Sequence, residues 1–398
     1  MRTFGFILGL AMLTSLAACD ILEDGLQMGR PRRYCQRQNG DGYSKDNESP
    51  GHPLPDDSIQ RFVPDTAIFL SAVRCDPSYD WRRDTAYGGG SAELLLIRDG
   101  EVAVTIPSGP DNRVSAAPDM HHIIDGHLYT EYSTGDRTFI GRDGHILFDV
   151  EGREFLKGIL VRDSTVYTLS EFRSGKGFVL RKDGIPMLVK SEGRIIGDFS
   201  DPAYHGSGAL YRDEGRICFS YLSANGGMIV RDGVERCVTA SPEGVQDIRS
   251  VKGKDIIAGR KAFGYEWEGA RIRPFGSSYC ISGDVQVGDE RFATLYNCST
   301  GRLTRLGPEG SMVYSKDGMA AILTEDELDG FYFFTGACAD MLGDALAVAL
   351  TPVNRESPPI LRADGSVTEF GDLNGFLTGV SVEISLPSLS LSPHHPIP

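Results

Sequence analysis

The segment from Cys75 to Gly90, CDPSYDWRRDTAYGGG, gathers Tyr79, Trp81, Arg82, Arg83, Asp84 and Tyr87 within a few residues. Aromatic rings beside guanidinium groups stack on sugar rings or anchor a protein partner, and long loops in compact domains are often functional. Tyr79, Trp81, Arg82, Arg83 and Tyr87 are therefore the candidate binding residues. Other groups capable of chemistry are more simply structural. His121 and His122 have no cysteine or carboxylate at metal-ligand spacing, so ordinary loop residues are expected there. Asn39, Asp41, Gly42 and Glu48 fit part of a calcium-loop pattern, but Arg37 stands where the first carboxylate belongs. The acidic run from Thr324 to Gly330 reads as a solvated turn, and Trp267 as a stacking residue inside a hairpin. No metal site and no cofactor site is expected. The chain carries no G-x-S-x-G elbow, H-E-x-x-H pair, P-loop or dinucleotide-binding fingerprint.

Cysteine chemistry divides into one special position and seven others. Residues 1–20 begin with a single basic side chain, Arg2, continue through a mostly apolar run from Phe4 to Leu16, and end in Ala17 and Ala18 before Cys19. This is the layout of a secretory signal, and the apolar run is short of the about 20 residues a permanent membrane helix needs. The quartet Leu16-Ala17-Ala18-Cys19 resembles the lipobox of bacterial lipoproteins. The resemblance implies cleavage before Cys19, a diacylglycerol on its thiol, and attachment to a membrane of the cell envelope. Asp20, next in the chain, fits retention at the inner membrane in some lipoprotein systems and export to the cell surface in others, so membrane and face stay open. Export also permits disulfides, and no cysteine spacing is of the CxxC type. Cys280 and Cys298 are the best pair, because a hairpin turning at Gly288-Asp289-Glu290 would set them opposite each other.

The elements that must carry these residues follow from a repeat. Five segments share a hydrophobic run, a basic residue just upstream, and Asp-Gly: LLLIRDG, FIGRDG, FVLRKDG, MIVRDG and PILRADG, ending at Gly100, Gly144, Gly184, Gly233 and Gly365. Asp-Gly suits a type I′ turn, whose two central residues both need positive φ. Most copies are followed by a second apolar run and preceded by another, such as GHLYTEY, TVYTLSE and RICFSYL. The first four corners recur at the about 40–50 residue blade period of a propeller, and the last gap spans about three such periods. The expected fold is an all-β β-propeller of four-stranded antiparallel blades, seven in number, with six or eight also compatible. Alternation from Val380 to Leu386 marks a final strand that could close the ring.

The resulting organisation is a signal peptide at 1–18, a lipidated polar tether at 19–61, a propeller at 62–386 and a Ser-, Pro- and His-rich tail at 387–398. A formal net charge of −15 argues against a nucleic-acid partner, whose phosphates would be repelled on approach. The reading is a membrane-anchored, non-catalytic scaffold for a glycan or an envelope protein. The alternative is a polysaccharide hydrolase or lyase, with carboxylates drawn from several blades. Replacing the acylated thiol tests the anchor: Cys19→Ser should move the protein from the membrane fraction to the soluble fraction on cell fractionation, and retention of the variant in the membrane would contradict lipid at this site.

Overall fold

The computed structural model describes residues 34–35 and 66–384, apart from 77–91, 108–120, 198–208, 333–338 and a few shorter stretches. Among the described residues, six antiparallel sheets of four or five strands, with two narrower sheets between them, are arranged around a ring, as a β-propeller. The second blade shows the plan: His121–Ile124, His127–Thr134, Arg137–Arg142 and His145–Glu151 pair in sequence order. The third repeats it with Glu154–Arg162, Thr165–Phe172, Phe178–Lys182 and Ile185–Lys190. The first blade is composite. Gly375–Ile384 pairs with Thr66–Cys75, which continues into Ala92–Arg98 and Glu101–Pro107. The last described strand thereby lies against the first strand of the first blade and closes the circle.

Blade number is where the structure departs from the expected seven. The segment between the fourth corner and the last holds two full blades, built around Tyr265–Phe275 and Ala345–Pro352, and two narrower sheets. One is the hairpin Val245–Val251 with Lys254–Gly259, and the other pairs Met312–Lys316 with Met319–Leu323. Tyr34–Cys35, from the segment expected to be a tether, adds a short strand to the latter through Ala320 and Met319. The sequence period predicts about three blades here, whereas the described residues divide into two full blades and these two narrower sheets.

Each sheet is apolar on both faces because each is sandwiched. Phe69, Leu94 and Leu96 of the first blade meet Ile123 and Leu128 of the second. Tyr129 and Ile140 then meet Leu156, Ile159 and Val166, and Leu169, Phe178 and Leu180 meet Ile217 and Phe219. The narrow sheets take the same part: Ile248 packs on Ile229, and Val251 and Ala258 on Trp267 and Ile272. The circuit ends where Ala347, Ala349 and Leu361 meet Leu70, Leu95 and Leu377. A buried Leu, Ile or Phe contributes about 1.5–3 kcal/mol, so these contacts dominate the stability of the ring.

The repeated Asp-Gly has a specific task. At Asp99, Asp143, Asp183 and Asp232 φ lies between 49° and 51°, and the glycine that follows is also positive, as a type I′ turn requires. In every case the aspartate reaches one strand inward. Asp143 donates its N–H to the carbonyl of Leu128 (2.8 Å), and its Oδ1 accepts the Leu128 N–H (2.9 Å). Asp99 does the same to Ile68, Asp183 to Val166 and Asp232 to Ile217. The side chain thus extends the ladder by one bond where the backbone has already turned away. At Gly144, Gly184 and Gly233 the glycine meets the preceding blade, most closely at Gly184, where a Cβ would stand 3.0 Å from the Phe148 ring and φ is +81°.

Asp183→Ala should cost about 1–3 kcal/mol in urea denaturation, because the Val166 N–H loses its acceptor and alanine occupies a left-handed position. Asp183→Asn keeps both an acceptor and a residue tolerant of that φ, so it should retain most of the stability. Equal losses in the two variants would contradict the bonding role.

Candidate functional site

A cleft of about 450 Å3 opens between the first and second blades, at the end of the ring where the Asp-Gly corners lie. Its apolar wall comes from Phe69, Leu96 and Val104 on three strands of the first blade. The opposite wall is the turn Asp125-Gly126-His127, which joins the first two strands of the second blade, with Asp143 from the next corner. Glu383 and Ile384, from the strand that closes the ring, complete it. Asp125 is held at φ 51° and Gly126 at 71°, another type I′ pair. Gly126 is required by contact as well, since a Cβ there would lie 3.0 Å from Phe69 Cζ.

The charges in the cleft are partly paired. His127 Nδ1 lies 2.6 Å from Asp143 Oδ2, while Asp143 Oδ1 is committed to the Leu128 N–H. Arg98 sits with its guanidinium carbon 5.6 Å from the centre of the Phe69 ring and its Nε 3.5 Å from Asp99. Burial pushes the Glu383 carboxyl above the usual range. Donation from the Gly126 N–H and the Ser381 hydroxyl opposes this, and the neighbouring carboxylates of Asp125 and Asp340 reinforce it. The cleft therefore combines an apolar wall with a rim of mixed charge, Asp125, Asp143 and Glu383 beside Arg98 and His127.

A second surface feature runs along the outermost strands. On Ile185–Lys190, Ile185 is 70% exposed, Met187 39% and Val189 57%. Ile146 and Leu147 on the outer strand of the second blade and Val234 on that of the fourth are exposed as well. Three consecutive blades therefore present large apolar side chains to solvent.

Buried carboxylates elsewhere serve the frame. Glu131 accepts the Leu156 N–H (2.6 Å) and Asp247 the Ile272 N–H (2.6 Å), each bond crossing from one sheet to the next. Glu154 and Arg181 form a two-bond pair inside the third blade. Among the described residues no group of three or more His, Cys, Asp or Glu is arranged to hold a metal ion.

Cys19, Tyr79, Trp81, Arg82, Arg83 and Tyr87 lie outside the described residues. The roots of their loop are described: Cys75 and Ala92 stand opposite each other, and Asn374 Nδ2 donates to the carbonyls of Cys75 and Asp76. This loop leaves the first blade at the end opposite the cleft. The expected Cys280–Cys298 register is displaced by one residue. Gly288-Asp289 forms a two-residue turn, so Val287 pairs with Glu290 and Cys280 with Asn297. Successive side chains on a strand point to opposite faces. Cys280 consequently packs with Leu295 and Val313 on one face, Cys298 with the Trp267 cluster on the other, and the two form no disulfide. Burial pushes the Cys280 thiol up to about 12 and that of Cys298 up to about 11.

His121 and His122 are buried strand residues, not loop residues, and His121 Nδ1 lies 3.1 Å from Thr130 Oγ1. Trp267 is buried, with Nε1 donating to the Ala262 carbonyl, as a stacking residue would be. Glu325–Leu328 forms a single helical turn in which Glu327 caps the Thr324 N–H. Sequence reasoning passed over the cleft, although the tripeptide Asp-Gly-His, at 125–127 and again at 143–145, marks two of its corners.

No family model matches the chain, and no curated protein matches it. Solved structures that overlap part of it include two crystal structures of BBS1N in complex with ARL6DN, one soaked with lead and one with mercury. Both are 10% identical and cover 60% of this chain, with 75% and 88% of the other chain covered and TM-scores of 0.31 and 0.26. Overlap at that level carries no functional argument.

The close approach of Gly126 to Phe69 gives a measurable coupling. Gly126→Ala should destabilise the protein by about 1–3 kcal/mol from strain and crowding. In a Phe69→Leu background the same change should cost less, and strictly additive losses in the double-mutant cycle would contradict the contact.

Proposed function

We propose that this protein is a lipid-anchored propeller that acts as a non-catalytic scaffold, holding a protein partner at the bacterial cell envelope. The observation that carries the reading is the exposure of Ile146, Leu147, Ile185, Met187, Val189 and Val234 on the outer strands of three consecutive blades. Exposed apolar side chains on the edge strands of sheets are available for contact with another molecule. Of the two partners expected from sequence, a glycan or an envelope protein, the aliphatic character of this surface favours the protein. Sugars are held chiefly by aromatic stacking and hydrogen bonds, which Ile, Leu, Met and Val do not supply. The net charge of −15 favours a partner with a basic rim around its own apolar contact.

The anchor and the polar segment after it give this surface a physical context. Acylation at Cys19 confines the propeller to a membrane surface, and two or more acyl chains make that confinement stable. A partner in the same membrane then meets the scaffold at raised effective concentration.

The test is recovery of partners from solubilised membranes with the wild type, with Ile185→Asp/Val189→Asp, and with a control carrying two added acids on a polar stretch. Both altered side chains are exposed, so the thermal midpoint should not move. A protein recovered by the wild type and the control but lost from the outer-strand variant supports the reading. An identical set recovered by all three overturns it.

A further inference from the structure

We infer that the segment from Arg30 to Cys35 docks along the open edge of the narrow sheet made by Met312–Lys316 and Met319–Leu323, where it supplies a third strand and brings its arginines to the acidic turn beyond. Two independent observations meet there. The first is a strand already seated: Tyr34 pairs with Ala320 and Cys35 with Met319, antiparallel, on the side of Met319–Leu323 that Met312–Lys316 does not occupy. Full blades of this ring have four or five strands, so a sheet with only two longer strands leaves room at its outer edge. The added ladder stops at Ala320. Ala321, Ile322 and Leu323 keep an edge that no other described strand covers, and such an edge is a template for one more.

The second observation is charge. Continued in the same register, the segment brings Arg33 opposite Ala321, Arg32 opposite Ile322 and Arg30 level with Thr324. Thr324 opens the helical turn Glu325–Leu328, whose first three residues, Glu325, Asp326 and Glu327, are all acidic, and Asp329 follows. Glu325, Asp326 and Asp329 are exposed, and among the described residues none of them is paired with a basic side chain. Backbone hydrogen bonds hold the added strand, while attraction between the arginines and these acids opposes a slip of register. Pro31 falls opposite Leu323, at the end of the edge, where a missing N–H is tolerated. On the lipid-anchor reading docking also shortens the leash, a consequence that rests on that reading while the docking itself does not. Cys19 to Tyr34 spans at most about 50 Å, against about 160 Å from Cys19 to Thr66.

Cys35 is a native reporter of the register. Directly opposite residues of an antiparallel pair come within disulfide reach, so Met319→Cys in the full chain should cross-link to Cys35 on mild oxidation with diamide, as mapped by non-reducing peptide mass spectrometry. Glu325→Cys, exposed and beyond the paired residues, should cross-link to Cys35 at least about fivefold more slowly, because only the docked strand holds two thiols at high effective concentration. In the Met319→Cys background, Arg30→Gln/Arg32→Gln/Arg33→Gln should slow the reaction at least about threefold at low salt, the loss expected for several exposed ion pairs. Arg32→Glu/Arg33→Glu should slow it further, and adding Glu325→Lys/Asp326→Lys should restore it. Tyr34→Cys/Cys35→Ser with Ala320→Cys repeats the measurement at the neighbouring pair and leaves Met319 in place. Cross-linking at position 319 no faster than at 325, or a rate unchanged by loss of the three arginines, would overturn the docking. Membrane release of Cys19→Ser reads the anchor separately, so failure of one is told apart from failure of the other.

Discussion

A small sheet that is apolar on both faces cannot stand at the end of a row. In this protein every blade has that character, so each must find a neighbour on either side, and only a closed circuit satisfies all of them at once. The pairing of Gly375–Ile384 with Thr66–Cys75 is therefore the contact on which the rest depends. If it is absent, the apolar face formed by Leu70, Leu95 and Leu377 is opened against that of Ala347, Ala349 and Leu361. Buried cross-links between the sheets act in the same sense. Thr351 Oγ1 accepts the Leu377 N–H, and Asp340 Oδ2 accepts the Val382 N–H, tying the closing strand to the last blade as well as to the first.

Closure also creates the cleft. Glu383 and Ile384 come from the closing strand, Phe69 from the strand it pairs with, and Asp125 and His127 from the blade packed against both. The site is thus assembled from opposite ends of the propeller sequence, and it exists only in the ring. The outer strands have a different origin. They lie furthest from the packed faces, so apolar residues such as Ile185 and Val189 are not required by the fold there and are free to serve contact with another molecule.

Legibility in the sequence followed the rigidity of local rules. Asp-Gly at 99, 143, 183 and 232 announced its turns, because few residue pairs accept two successive positive φ values. The all-β class and the strands at GHLYTEY, TVYTLSE and RICFSYL were readable for the same kind of reason. Blade division failed where the corners lose their signature. Lys252-Gly253 and Phe263-Gly264 make turns with the same signs of φ but without the aspartate, and they bound sheets of unequal width. The register around Cys280 failed by one residue, because Gly288-Asp289-Glu290 reads equally well as a two- or a three-residue turn, and the tertiary packing of Cys280 against Leu295 and Val313 decides. The cleft escaped notice because its residues are far apart in sequence, and no local pattern ties Glu383 to Asp125.

Ring closure is tested most directly by amide hydrogen exchange along Gly375–Ile384. The account predicts that the amides of Leu377 and Val382 exchange only through global unfolding, with the same denaturant dependence as their partners in Thr66–Cys75. Rapid exchange in 375–384 that is insensitive to denaturant, while Thr66–Cys75 stays protected, would contradict it.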